Sequence, residues 1–182
     1  MDVRLARRSD LERVGEITAA AYTDFLKGPE DPYLDRLRDA RARAREATLW
    51  VAADEREGPG SSVVVGSVTT CPPGSPWREI AEDGEGEMRM LAVDPDAQGR
   101  GVGRVLVGHV LARWRREGLG AAVLSSLPEM HAAHRLYESL GFTRVPERDW
   151  SPVAGTRLVA YRLDLTQERS GTGSARRRRP PA

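Results

Sequence analysis

Hydrophobic and polar positions recur along this chain with two periods, and the changes of period mark its elements. Val3 and Leu5 alternate with polar neighbours, which predicts a short strand over 2–6. Leu11, Val14, Ile17, Thr18 and Ala21 then recur at three- and four-residue steps, the spacing of an amphipathic helix, with Ser9 or Asp10 placed to cap it. The run from Lys27 to Pro32 breaks that helix. A second, more polar helix is expected from about Tyr33 to Glu46, anchored by Leu34 and Leu37; its arginines at 36, 38, 41, 43 and 45 read as a solvated face. Leu49–Ala53 and Val63–Thr70 are strand-like, and the turn sequence Glu57-Gly58-Pro59-Gly60 between them predicts a hairpin. From Cys71 to Gly86 no period holds. That loop carries three prolines, Glu79, Glu82, Asp83 and Trp77, and loops of such length tend to be functional or mobile.

The stretch from Glu87 to Glu117 organises the rest. Met88, Met90, Leu91, Ala92 and Val93 put apolar residues on both parities, as in a strand covered on both faces. Pro95 lacks a ladder donor and ends it. Gln98, Gly99, Arg100, Gly101, Val102, Gly103 and Arg104 follow, then Val105, Leu106, Val110 and Leu111 at helical spacing up to Gly118. The first N–H groups of a helix lack partners and carry the positive end of its dipole, so they attract an anion. Glycines at 99, 101 and 103 would let a phosphate reach the main chain, and Arg100 and Arg104 add donors. A tight turn with no ligand is the competing reading. The loop is not a P-loop, having no Lys-Ser or Lys-Thr after the glycines, and its third glycine comes too soon for a dinucleotide fingerprint. Further on, Ala121–Ser125 reads as a buried strand and Ala132, Ala133, Leu136, Tyr137 and Leu140 as one helix face ended by Gly141. Thr143–Val145 and Arg157–Leu165 read as the last strands, with 146–156 between them as a loop holding Trp150 and Pro152.

Bulk properties narrow the field only slightly. A chain of 182 residues with 40% hydrophobic content suits one domain, expected over 1–166, followed at 167–182 by a disordered basic tail that ends in Arg176–Arg179. The 28 basic and 27 acidic residues nearly cancel, so the charge makes no global case for nucleic acid or an anionic membrane. One cysteine, Cys71, rules out an internal disulfide framework and argues against structural zinc. No apolar leader or membrane-length run is present, which makes the cytoplasm the expected compartment. His131 and His134 lie three apart without a carboxylate partner at ligand spacing, and they read as capping or surface residues, as does His109.

Gln98, Gly101 and Gly103 fill the pattern Gln/Arg-x-x-Gly-x-Gly/Ala, which resembles the acyl-CoA-binding motif of the GNAT superfamily of N-acetyltransferases. Leu91 to Pro95 resembles that family's fourth strand. Ala133 to Phe142, in the form A-x-x-L-Y-x-x-x-G-F, resembles a second GNAT segment in the right order and separation. Met130 departs from the family's frequent asparagine, which helps to hold pantetheine or a water. The resemblance implies an α/β GNAT fold whose mixed central sheet, flanked by helices, is splayed between its fourth and fifth strands, with acetyl-CoA entering the gap as acyl donor and no metal.

It also implies chemistry. An ammonium must lose a proton before it attacks the thioester, an oxyanion then forms, and a thiolate leaves. By family resemblance Glu87 is the candidate general base, acting directly or through water, with decoration of an exposed strand end as its alternative. The Leu91 backbone N–H is the candidate thioester donor, with Leu91, Ala92 and Val93 along the pantetheine, and residues 98–104 hold the phosphates. Tyr137 is the candidate general acid. Tyr22, Phe25, Trp77 and Trp150 are candidate acceptor contacts, although Trp77 would equally serve to pin its loop. A small-molecule or peptide amine is the expected acceptor, and a homodimer is an assembly the family often adopts. Two other readings stand beside this one: a non-catalytic acyl-CoA-binding regulatory module, and an interaction protein using its arginine tail.

Overall fold

The computed structural model describes residues 1–55 and 62–166. The expected turn at 57–60 and the expected tail at 167–182 lie outside the described residues. The elements are β1 (Asp2–Leu5), α1 (Leu11–Tyr22), α2 (Tyr33–Arg38), α3 (Ala40–Glu46), β2 (Thr48–Glu55), β3 (Ser62–Cys71), β4 (Glu85–Val93), α4 (Val102–Glu117), β5 (Ala121–Ser126), α5 (His131–Ser139), β6 (Thr143–Arg144), β7 (Trp150–Val153) and β8 (Thr156–Asp164). Strand order in the sheet is β1-β2-β3-β4-β5-β8-β6, with β7 paired to β8. All pairings are antiparallel except β4–β5, because those two strands are joined by the α4 crossover that a parallel pair requires.

Helices cover both faces. Against one face, Leu106, Val110 and Leu111 of α4 pack with Trp50, Val65, Val68 and Met88, and Tyr137 and Phe142 extend the same core. Against the other, Leu11, Val14 and Ile17 of α1 meet Leu49, Val51, Val64 and Ala92. A third cluster of Leu37, Cys71, Trp77 and Met90 seals the side beside α2.

Two features of β4 position the site. The first is a bulge: three steps from Arg89 to Ala92 oppose two from Thr69 to Ser67, and Met90 takes φ 49°. Met88 faces α4 before the bulge and Leu91 and Val93 do so after it, whereas Met90 and Ala92 join the clusters on the opposite face. Burial of both faces accounts for the mixed apolar parity of the sequence, and the bulge adds a shift of phase that puts Met88 and Leu91 on the same face. The second feature is where pairing stops. β4 and β5 are in register only from Glu85–Ala121 to Glu87–Val123. Beyond Glu87 the strands part, as the splayed sheet requires.

The structure departs from sequence expectation in several places. The helix expected over 33–46 is broken at Asp39, whose ψ of 68° leaves the helix and whose carboxylate accepts from the Ala42 N–H at 2.9 Å, capping α3. Asp10 does not cap α1: its carboxylate turns back to the Arg4 guanidinium and the Arg7 N–H, both at 2.6 Å. Arg43 leaves the solvated face and is fully buried. The stretch read as a 146–156 loop contains β7, a hairpin with β8 closed by Ala154-Gly155, where Gly155 has φ 79°. Pro152 is tolerated there because β7 lies at an edge.

Candidate functional site

A cleft of about 1780 Å³ opens where β4 and β5 separate. One half is bounded by the post-bulge part of β4, the Gln98–Arg104 loop and the start of α5; the other by the segment after α1, α2, Glu79, Arg89 and the β7–β8 turn.

The first half is built mainly from backbone. Past Glu87 the edge of β4 that faces β5 has no strand partner, so its N–H and C=O groups are available to an extended ligand. Gln98, Gly99, Gly101, Val102, Gly103 and Arg104 all line the cleft. Gly99 and Gly101 take φ 76° and 79°, and Gly101 begins α4 with no side-chain cap, leaving the first amides of a 16-residue helix for a ligand. A Cβ at Gly103 would stand 3.0 Å from Leu136 Cδ2. These features fit the phosphates and amide-bearing arm of an acyl-CoA. Of the two loop arginines, Arg104 lines the cleft and donates to Ser139 Oγ at 2.7 Å, while Arg100 lies outside it, ion-paired with Asp54. Leu91 and Val93 border the cleft; Ala92 faces the α1 core instead.

Tyr137 also lines the cleft, its ring tilted against those of Phe142 and Tyr161 at centroid distances of 5.9 and 6.0 Å, and no residue of the described chain bonds its hydroxyl. Burial, reinforced by Tyr161, pushes its phenol up from the ordinary value. It therefore stays protonated through neutral pH. Met130, at the start of α5, lines the cleft as well. His134 serves the framework: its Nε2 lies 3.0 Å from the Leu127 carbonyl oxygen and 3.2 Å from Ser126 Oγ, tying α5 to the end of β5.

The second half is built from side chains. Tyr22 and Phe25 are both brought to the cleft, together with Tyr33, Arg36, Glu79 and Arg89. Trp77 and Trp150 are not among its lining residues. Trp77 is buried; its indole N–H donates to Glu46 Oε2 at 3.1 Å and the Arg36 guanidinium covers its ring at 4.6 Å, so it pins the loop. Trp150 sits on β7 opposite Leu158.

Glu87 is likewise outside the cleft and fully buried. Its Oε2 accepts from three consecutive backbone amides, Glu79, Ile80 and Ala81, at 2.9, 3.0 and 3.0 Å, and its Oε1 has no partner. In this position the carboxylate fixes the 79–81 turn rather than meeting a substrate. Glu85, two residues earlier, is clamped by Arg148 at 2.8 Å and Arg162 at 3.0 Å. Burial opposes the charged form, but the Arg148 bond, the Glu82 amide and Arg162 together hold this carboxyl down at about 2.

Arg43, fully buried, donates from Nη1 to Met90 Sδ at 2.9 Å and from Nη2 to Thr18 Oγ1 at 3.2 Å, while its Nε has no partner. No carboxylate is bonded to it among the described residues. Burial lowers it to about 10, which still leaves a cation beneath the bulge at neutral pH. A local signal for its burial is the three-residue step from Ala40 to Arg43, which puts both on the buried face of α3.

Comparison with known proteins agrees with this geometry. Residues 11–142 match the model of the acetyltransferase (GNAT) family. Mycothiol acetyltransferase of Cellulomonas flavigena is 35% identical over 147 residues, 70% of this chain and 40% of that protein. N-acetylaspartate synthetase of Danio rerio is 37% identical over 99 residues, 48% of this chain and 35% of the relative. The chain thus spans less than half the length of these curated relatives. Among solved structures, yncA of Salmonella typhimurium, determined with its cofactor acetyl-CoA, aligns with a TM-score of 0.61 at 26% identity, covering 92% of this chain and 95% of the other. A GCN5-related N-acetyltransferase from Kribbella flavida aligns at 0.63 and 24% identity, over 90% and 96%, a likeness of fold.

Proposed function

Because the chain belongs to the GNAT acetyltransferase family, we propose that it moves an acetyl group from acetyl-CoA to a primary amine by direct attack. The observation that carries this reading is the continuity of one surface: an unpaired β4 edge beyond its bulge leads directly into a glycine loop and an uncapped helix start within the same cleft.

On this reading the exposed edge at Leu91 and Val93 holds the pantetheine amides, and the α4 start receives the phosphates. The Leu91 N–H, turned by the bulge, donates to the thioester carbonyl and gains strength as the oxygen becomes anionic. Tyr137 serves as the acid at the sulfur. A free thiol ionises near ~8.5 and a phenol near ~10 or above, so Tyr137 gives its hydrogen bond as the C–S bond breaks and regains a proton from the amide nitrogen. The side-chain half of the cleft takes the amine. Mycothiol acetyltransferase, similar over 70% of this chain, favours a small-molecule acceptor over a peptide.

The test is thiol release from acetyl-CoA across a panel of small amines, amino acids and peptides. Amine-dependent release is the expected result, and the best amine names the acceptor class. Failure of the chain to bind acetyl-CoA in a calorimetric titration would remove the reading altogether.

A further inference from the structure

Glu87 is committed to three backbone amides; of the other carboxylates on the amine's side of the cleft, Asp24 and Glu30 are exposed and Asp31 accepts from the Lys27 and Tyr33 amides, and we propose that the more deeply set Glu79 takes the proton from the incoming ammonium. This rests on the transferase reading above.

Glu79 lies in the long loop between β3 and β4, and its side chain is mostly covered while still bordering the cleft. Its two oxygens are in different states. Oε1 meets Arg89 Nη1 at 2.6 Å; Oε2 is buried and has no hydrogen-bond partner. A buried carboxylate oxygen without a donor is costly to retain, and an ammonium is the donor that would repair it. The backbone of the same residue is held by the Glu87 carboxylate through the Glu79 N–H, and the Trp77 anchor fixes the loop two residues earlier. The carboxylate is therefore presented from a rigid turn, as a general base must be.

The charges around it come from several elements. Arg89 and Glu87 approach from β4, Arg36 and Tyr33 from α2, and Cys71 from the end of β3. Burial is the dominant influence and raises Glu79 above the ordinary carboxylate value; Arg89 opposes it and Glu87 adds to it. A raised carboxyl is a better proton acceptor for an amine at neutral pH.

The step balances. The Glu79 carboxylate takes one proton from R–NH3+, leaving R–NH2, whose lone pair forms the C–N bond. The C–S bond breaks with its electron pair on sulfur, and sulfur gains a proton by way of Tyr137. The tyrosine is restored by the second proton from nitrogen, and Glu79 gives its proton to water. The net products are the acetamide, the free thiol and one proton.

Glu79→Gln tests the assignment, because the amide can still accept from Arg89 but cannot hold the proton. At pH 7, with the best amine found for the wild type, kcat/KM is expected to fall about 100-fold, within the range of general-base contributions. The deficit should shrink tenfold per pH unit as the amine itself deprotonates, while acetyl-CoA affinity stays at the wild-type value; Tm falls, because Arg89 loses its charged partner, but that fall does not vary with the pH rescue. A wild type that turns over, beside a Glu79→Gln protein within threefold of it and with an unchanged pH profile, overturns the proposal. So does a pH-rescued loss in Glu87→Gln without one in Glu79→Gln. A wild type that binds acetyl-CoA but acetylates nothing at any pH counts against the transferase reading instead, and ¹³C titration of the Glu79 carboxyl, assigned by the Gln variant, then decides whether it titrates above the ordinary range as proposed.

Discussion

The two halves of the cleft are made of different material. The half proposed for the donor is backbone: a strand edge, three glycines and the start of a helix, in which side chains matter chiefly by being small. The acceptor half is side chains delivered from α1, α2, a loop and a hairpin, held by contacts such as Trp77 with Glu46 and Glu87 with the amides of 79–81. A backbone site can serve one invariant ligand whatever the surrounding sequence. A side-chain site can be rebuilt for a new ligand without disturbing the first.

That contrast is broken or sharpened by substitution. The largest effect is expected on the backbone side, from Gly103→Val. The new Cβ would stand 3.0 Å from Leu136 Cδ2 and its methyls would enter the phosphate cradle. Loss of about two charge-assisted hydrogen bonds should weaken acetyl-CoA about 100-fold by calorimetry, with the helical circular dichroism unchanged. Retained affinity would mean that the cradle is not where the phosphates sit. Tyr137→Phe should separate binding from chemistry: kcat down by about 100-fold with acetyl-CoA affinity preserved, checked by single-turnover thiol release.

A smaller effect concerns the closed end of the gap. Glu85, held near 2 when folded, stabilises the fold fully above the ordinary carboxylate range near ~4.3 and loses that contribution as pH falls toward 2. Thermal melts from pH 6 to pH 3 should show Tm falling in the wild type and a flatter decline in Glu85→Gln, which starts lower. Parallel curves would show that the Arg148–Glu85–Arg162 clamp does not carry acid sensitivity. The smallest effect is expected for Arg43→Met. Removing one member of a buried ion pair strands its partner, but Arg43 is bonded to no carboxylate among the described residues, so nothing charged is left behind. Tm should be unchanged or higher. A fall of several degrees would show that the bulge at Met90 needs the cation beneath it in order to form.

Legibility from sequence followed the same division. Most of the backbone half of the cleft was legible because backbone geometry leaves its mark in glycines and in Pro95, although Arg100 and Ala92 turn away from the cleft. Apolar residues on both parities from Met88 to Val93 read as a strand covered on both faces, and they carried no separate mark of the bulge. The acceptor half was legible only in part. Tyr22 and Phe25 line the cleft from the end of α1 and just beyond it, whereas Trp77 and Trp150 do not, and which way an aromatic turns depends on partners distant in sequence. Glu87 was the clearest candidate base along the chain, yet three amides from a loop with no period decide where its oxygens go. Glu79, in that same loop, carried no local signal at all. Strand β7 was missed, although the Ala154-Gly155 pair before an alternating run was a hairpin signal. Asp39 interrupted a helix that its flanking arginines and alanines favoured, since its carboxylate gains more by capping α3 than by staying mid-helix.

The early end of β4–β5 pairing has a consequence for how the molecule holds together. Three paired residues join the two halves of the sheet, and beyond them each strand shows the other an unsatisfied edge. Whatever molecule lies in that gap acts as an extra strand and adds to folding stability by mass action, by about 2.7 kcal/mol when present at a hundred times its Kd. The amount of folded protein surviving heat or proteolysis would then follow the supply of that molecule, so the lifetime of the chain would register the level of the ligand that fills the gap.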